Sequence, residues 1–356
     1  MTFYQRTVPI GSDHGEISAE LCMDRIDISG ITLDAIRDRA LSLRPYLSRT
    51  PSVRLQTPFL AERFGERGVA LKLECFQHTG SFKARGALSN LLAISDDERQ
   101  RGVTAASAGN HAIAAAWAAR VAGVSAKVVM QNTANPFRIA LARGQGADVI
   151  LKDPGAPTFA EAERLSKDEG RFFIHPFEGV NTSLGTAGVG LEFIEDMPEL
   201  EAVVVSVGGG GLISGIAAAV KQINPACKVF GVEPVGADSM SRSLVSGEPV
   251  TLPATDTIAD SLAPPMALPL GHALCTAYVD RVVTVTDDEI CAGMVHLQQE
   301  AKLAVEPAAG AAMAGALGPL QAELQGKSVG LIICGANIDA ATYRAQLARG
   351  LAHMGA

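Results

Sequence analysis

A lysine that works as a nucleophile or base must be held neutral, and residues 75–87, CFQHTGSFKARGA, place Lys83 where that could happen. An apolar run, VALKLE (69–74), precedes it, and a Thr79-Gly80-Ser81 turn leads into a helix starting near Phe82 and Lys83. Apolar neighbours and the positive end of a helix dipole both disfavour the ammonium form. A neutral amine can form a Schiff base. Taken alone, a lysine in a first helical turn reads as a solvated charge, as most lysines are.

Three other stretches could carry chemistry. Ser107-Ala108-Gly109-Asn110-His111 closes one apolar run and opens a helix. Small residues there let backbone N–H groups approach a carboxylate, and a helix N-terminus favours an anion. The plain alternative is a turn in which Ser107 or Asn110 caps the helix, and His111 alone reads as a packed helix residue. Gly208-Gly209-Gly210-Gly211-Leu212 joins the run AVVVSV to the pattern LISGIAAAV. Four glycines are costly in chain entropy, so the loop suits backbone donors wrapped around a phosphate. It is neither a Walker loop nor GxGxxG, yet Glu233 ends the next strand where a ribose-binding acid would lie, which keeps a nicotinamide oxidoreductase in view. Cys334, at the end of SVGLII, projects from a strand end or is an inert buried thiol.

The elements that must position these residues alternate. The expected strands are 69–74, 103–108, 126–131, 147–152, 171–176, 202–208, 228–234, 281–286 and 328–335, with helical patterns such as NHAIAAAWAARVAG and GLISGIAAAVKQIN between them. Near-continuous apolar strands separated by helices predict α/β architecture with mainly parallel sheet covered on both faces. Ligands then bind at the carboxyl ends of strands, where all four stretches lie. Residues 246–271 read as a long surface connection that could line a site, through Thr257-Ile258-Ala259-Asp260-Ser261.

With 356 residues, 47% of them hydrophobic and 19% charged, the chain can bury a large core and suggests two domains, or one large α/β unit with an inserted lobe. A net charge of −8 without any dense basic block argues against nucleic acid and anionic membranes as partners. No run is long and apolar enough to span a bilayer. The N-terminus lacks the pattern of a secretion signal, and six cysteines without close-paired spacing suit reduced thiols in the cytoplasm.

Together and in this order, the Ser81-Phe82-Lys83-Ala84-Arg85-Gly86-Ala87 motif, the asparagine loop, the tetraglycine and the Cys334 motif resemble the fold-type II pyridoxal-phosphate enzymes, specifically the threonine/serine dehydratase and serine racemase family. The resemblance runs from about Ile31 to Tyr343. It implies a two-lobed, tryptophan synthase β-like fold: a large domain of 31–100 plus 182–356, a small domain of 101–181 and an extension over 1–30. Lys83 would hold pyridoxal 5'-phosphate as an internal aldimine, beside Phe82. Asn110 would bond the ring hydroxyl, Gly208 to Gly211 with Leu212 the phosphate, and Cys334 would face the pyridine nitrogen. Ser107, Ala108, Gly109, Asn110 and His111 would bind the substrate carboxylate. Glu306-Pro307 and Ala259-Asp260 match further segments near the site. The implied reaction is α,β-elimination from a β-hydroxy amino acid such as threonine, serine, phenylserine or 3-hydroxyaspartate, giving a 2-oxo acid and ammonia. Closure of the small lobe and a homodimer are also implied.

Two departures narrow this. Racemases of the family carry a second serine where this chain has Ala108, which favours dehydration over racemisation. The family's divalent cation is held by positions matching Glu233, Ala237 and 239, and Ser239 stands where the second acid is expected.

Overall fold

The structure, a computed structural model, describes residues 26–355. Most of the expected N-terminal extension, and Cys22 with it, lies outside the described residues. Ten strands form: β1 (Ser52–Leu55), β2 (Val69–Lys72), β3 (Val103–Ala106), β4 (Ala126–Gln131), β5 (Asp148–Lys152), β6 (Phe172–Phe173), β7 (Ala202–Ser206), β8 (Lys228–Pro234), β9 (Arg281–Val285) and β10 (Val329–Ile332). All nine expected strands are present, several shorter than expected. The run 69–74 leaves the sheet after Lys72 and turns into a single 3₁₀ turn at Glu74–Phe76. β1 is the addition, an antiparallel edge to β2.

Two sheets result. The larger has the order β1-β2-β10-β7-β8-β9, parallel except for β1; the smaller has the order β5-β4-β3-β6 and is wholly parallel. The all-buried sequence AVVVS makes β7 a strand covered on both faces, as near-continuous β-branched runs require. The helix Pro307–Leu317, PAAGAAMAGAL, is almost entirely small residues and packs directly on β7, β8 and β9. In the smaller sheet the two-residue period of β4 separates the helices. Val128 and Met130 meet the helix Asn110–Ala122, while Val129 meets the helix Ala156–Asp168.

The helix Lys83–Leu91 packs on Asn110–Ala122 from the smaller sheet and on Val180–Asp196 from the larger. A buried ionic network fixes it. Arg85 donates to both oxygens of Glu74 and of Glu192 at 2.8–2.9 Å, and Lys72 Nζ lies 2.8 Å from Glu192. The lysine helix is therefore anchored two residues beyond Lys83.

Candidate active site

Each motif begins at the carboxyl end of a strand, and the strands bring them to one pocket of about 480 Å³, open to solvent. Phe82, Lys83, Asn110, Phe177, Gly208 to Gly211, Leu212 and Cys334 line it.

The lysine turn is stitched to the end of β10. Phe82 donates its backbone N–H to Cys334 O at 3.0 Å, and Ala336 donates to Gly80 O at 2.9 Å. Thr79 sits at φ 74°, a left-handed conformation that a β-branched residue adopts only when its surroundings impose it. Asn337 Nδ2 supplies that constraint, donating to Thr79 O at 2.7 Å. Lys83 is the first helical residue, as the sequence predicts. Its Nζ donates to Pro176 O and lies 5.1 Å from the Phe82 ring centroid. Desolvation lowers its pKa to about 8, against the opposing pull of Cys334 and Glu306. The Cys334 thiol is pushed well above its usual value by burial, with Glu306 adding to the effect, so it stays protonated.

The glycine loop is shaped by Phe177. A Cβ on Gly209 would lie 2.3 Å from the Phe177 ring, and one on Gly211 2.4 Å from Phe177 O. Gly210 has φ +87°, which favours glycine. Thr186 Oγ1 donates to Gly211 O at 2.7 Å and fixes the loop from behind. Among the described residues no protein acceptor meets the backbone N–H groups of Gly208 to Leu212. The Oγ of Ser214, in the first turn of the following helix Ile213–Ile223, is buried without a partner, and so is that of Ser81 beside Lys83. Unpaired donors at a helix start are the donor set a phosphate requires.

The asparagine loop starts the helix Asn110–Ala122. Gly109 is its N-cap and makes no side-chain cap bond. Ser107 Oγ instead accepts from Gly109 N–H at 3.1 Å, so neither Ser107 nor Asn110 caps the helix. Asn110 Nδ2 donates to both oxygens of Glu306 at 2.7 and 2.9 Å, and Asn110 Oδ1 accepts from Asn337 Nδ2 at 2.7 Å. An amide oxygen accepts two bonds, so Oδ1 keeps one lone pair for a ligand hydroxyl. Burial raises the pKa of Glu306 to about 7, although Arg138 and Asn110 oppose it. His111 is a packed residue: Nε2 donates to Ile174 O at 2.8 Å, and burial drops its pKa to about 3.

Thus Phe82, Asn110, Gly208 to Gly211, Leu212 and Cys334 line one pocket with Lys83, His111 lines an adjoining one with Phe82 and Lys83, and Ser107, Ala108 and Gly109 line neither. The structure adds two that the sequence reading does not single out, Phe177 and Arg138. It gives definite partners to Thr186, where the family's Gly-Gln-Gly-Thr segment reads Ser183-Leu184-Gly185-Thr186, and to Asn337, which ends the Cys334 stretch. No local pattern marks Phe177 or Arg138, because what they touch lies far away in sequence.

Glu233 serves a different purpose. It is fully buried, and its two oxygens accept from the N–H groups of Met240 and Ser241, each at 2.8 Å. It thereby holds the start of the helix Ser239–Ser246, leaving neither oxygen disposed toward a ribose. At the position where a second acid is expected for a divalent cation, Ser239 offers a neutral hydroxyl that is buried without a hydrogen-bond partner.

The family described as pyridoxal-phosphate dependent enzyme matches residues 43–335. The phenylserine dehydratase of Ralstonia pickettii is 48% identical over 318 residues, which cover 89% of this chain and 97% of that protein. The L-threonine ammonia-lyase of Thermotoga maritima is 39% identical over 310 residues, 87% of this chain and 76% of that protein. The maize serine racemase structure superposes with a TM-score of 0.83 at 33% identity, covering 91% of this chain and 99% of that one. The chain belongs to the pyridoxal-phosphate dependent enzymes. Within them it stands in the branch that holds the threonine dehydratases and serine racemases, and its two parallel-rich sheets are the fold-type II architecture.

Proposed function

We propose that this enzyme is a dehydratase that eliminates water from a β-hydroxy amino acid and yields a 2-oxo acid and ammonia. The observation that carries the reading is one pocket holding a partly neutral lysine, an unpaired glycine cradle and an uncapped helix start. The cradle from Gly208 to Leu212 would hold the cofactor phosphate. Lys83 would hold the cofactor covalently, beside Phe82, and Cys334 would face its ring nitrogen. Bound there, pyridoxal phosphate supplies the electron sink that makes the substrate's α-proton removable.

The remaining work falls to the chain. With Ser107 N–H on Val129 O and Gly109 N–H on Ser107 Oγ, the loop's remaining N–H groups, those of Ala108, Asn110 and His111, bind the substrate carboxylate. Asn110 is oriented by Glu306 on one side and Asn337 on the other. Lys83 would take the substrate's α-proton at Nζ. A pKa near 8 leaves a useful fraction of that amine neutral at cytoplasmic pH. Ala108 offers no hydroxyl to return a proton to the opposite face, which favours elimination over racemisation. Chiral analysis tests this: 2-oxo acid should form faster than D-amino acid, and the reverse order makes the enzyme a racemase.

The pocket also favours a neutral β-substituent. Phe82, Phe177, Leu262 and Pro264 are on its wall, and its lining carries no cation besides Lys83. A β-carboxylate would enter without a partner, a cost of several kcal/mol. We therefore expect phenylserine and threonine to exceed 3-hydroxyaspartate in kcat/KM by about 100-fold or more. A panel of these amino acids assayed for 2-oxo acid, with the visible spectrum recorded, decides both points. Equal or greater activity on 3-hydroxyaspartate rejects the substrate assignment; no 2-oxo acid from any of them rejects the dehydratase.

Catalysis should be independent of divalent cations, since Glu233 already bonds two backbone N–H groups. Dialysis against a chelator is expected to leave kcat and the melting temperature unchanged, and restoration of lost activity by magnesium would refute this. The five cysteines described, Cys75, Cys227, Cys275, Cys291 and Cys334, are free and buried, which suits a reducing compartment, and no described helix is long and apolar enough to cross a membrane. Cytoplasmic location and a homodimer, the latter open to light scattering, complete the proposal.

A further inference from the structure

Arg138 lies in the first turn of the helix Pro136–Gly144, on the side of the smaller sheet, yet its partners come from the larger-sheet side. Nε donates to Asn337 O at 2.9 Å, Nη1 pairs with the Asp260 carboxylate, and Nη2 is 3.7 Å from Glu306. The residue is buried, while the Asp260 side chain remains more than half exposed. The guanidinium also lies next to the asparagine loop: a Cβ at Gly109 would sit 3.3 Å from Nη1. Asn135 repeats the crossing, with Nδ2 donating to Asp339 at 2.7 Å.

We infer that Arg138 is a positioning residue for the amino acid carboxylate, clasping the Ser107–His111 loop to the Asp260–Pro264 segment and to Asn337 across the two sheets. Three features support this. Arg138 lies beside the loop at Gly109, close enough to crowd any side chain there, without lining the pocket itself. Asp260 begins the 3₁₀ turn Asp260–Leu262, whose Ser261 and Leu262 line the pocket. Asn337 joins Arg138 to both Asn110 and the Thr79 turn. A planar guanidinium can hold three such acceptors at once, which an ammonium cannot do in the same geometry. Its loss would let the loop drift from the carboxylate, and a displacement of that size lowers substrate binding without removing any group that touches substrate. The inference rests on the Ser107–His111 loop binding the carboxylate, as proposed above.

The test uses the cofactor-loaded enzyme. Arg138→Met should retain the visible band of the lysine-bound cofactor, raise KM for the preferred amino acid about tenfold or more, and lower kcat less. Arg138→Lys should fall between it and the wild type. Asp260→Asn should raise KM in the same direction, and Arg138→Met with Asp260→Asn should be no worse than Arg138→Met alone, because one clasp is being broken twice. The single tryptophan gives an independent readout. Trp117, of the helix Asn110–Ala122, stacks on His78 of the lysine turn with ring centroids 5.3 Å apart. Its emission should shift to the red in Arg138→Met as that contact loosens. Unchanged KM and unchanged emission in a cofactor-loaded Arg138→Met would overturn the inference, as would fully additive KM effects in the double variant. Should Arg138→Met fail to fold, Asp260→Asn decides, its side chain being exposed enough to substitute: an unchanged KM refutes the clasp. If the wild type makes no 2-oxo acid while the emission shift is present, the dehydratase assignment falls and the clasp stands.

Discussion

Lys83→Ala is expected to lower kcat for 2-oxo acid formation on the order of 10⁴-fold, the upper range for loss of a positioned proton-transfer group, while the protein stays folded. The loss arises because the variant has neither the covalent anchor nor the base at that position. Among the described residues, three neighbouring titratable groups are already committed. His111 is spent on Ile174 O, with a pKa near 3, and the Cys334 thiol is held protonated. Glu306 has both oxygens on Asn110. The variant should lose the visible band of the lysine-bound cofactor yet still bind the free cofactor, because the cradle from Gly208 to Leu212 is untouched. The melting temperature of the cofactor-free variant should not fall. Lys83 is desolvated without a carboxylate in direct contact, donating only to Pro176 O, so its removal relieves a cost instead of breaking a pair. Absorption spectra, a coupled 2-oxo acid assay and a thermal melt check the three parts. Wild-type turnover by Lys83→Ala would remove the mechanism altogether.

That prediction was accessible from the sequence only because four weak signals coincide in order. The same comparison shows which parts of the fold are local. The strands of the two sheets follow from continuous apolar runs, and β7 and β8 match their expected limits within two residues. β1 escapes because SVRL is a half-buried edge of four residues with two polar side chains, too short to establish a period. β6 shrinks to Phe172 and Phe173 because His175 turns the chain: its Nδ1 accepts from the N–H groups of Phe177 and Glu178.

The site divides along the same line. Lys83, the glycine loop and Asn110 advertise themselves through neighbours in sequence. Arg138, Asn337 and Glu306 act through partners 122 to 258 residues distant, and no local pattern reports such pairs. Glu233 shows the converse error, in which a correct position suggests a wrong duty. It does end a strand beside the glycine loop, but tertiary packing turns it onto the N–H groups of Met240 and Ser241.

Glu192→Gln is expected to destabilise the fold by about 3–5 kcal/mol, the cost of stranding buried charges. Among the described residues, Glu192 is the only carboxylate that touches both Arg85 and Lys72 directly at hydrogen-bond distance. Both cations are buried, and Lys72 has no exposed surface at all. Without the charge on Glu192, Arg85 keeps Glu74, but Lys72 is left with Thr50 O and with Asp196 at 3.5 Å. Urea unfolding monitored by circular dichroism gives the loss directly. The exposed Arg164, paired with Glu161 and Asp168 on one helix face, is the control, and Arg164→Ala should leave the midpoint unchanged. The pH dependence supplies a second signature. Burial pushes the Glu192 pKa up, but Arg85 and Lys72 more than offset this and hold it below its ordinary value. A depressed folded-state pKa means the contribution is complete above the unfolded-state value and is lost as pH falls through the folded one. The wild type should therefore lose stability on acidification faster than Glu192→Gln, and the two should converge at low pH. Turnover per folded molecule separates this anchoring from catalysis. Because the network holds the helix two residues beyond Lys83 and touches neither pocket nor substrate, kcat of the folded variant should drop far less than in Lys83→Ala. A full loss of kcat with unchanged stability would mean instead that the network tunes the lysine itself.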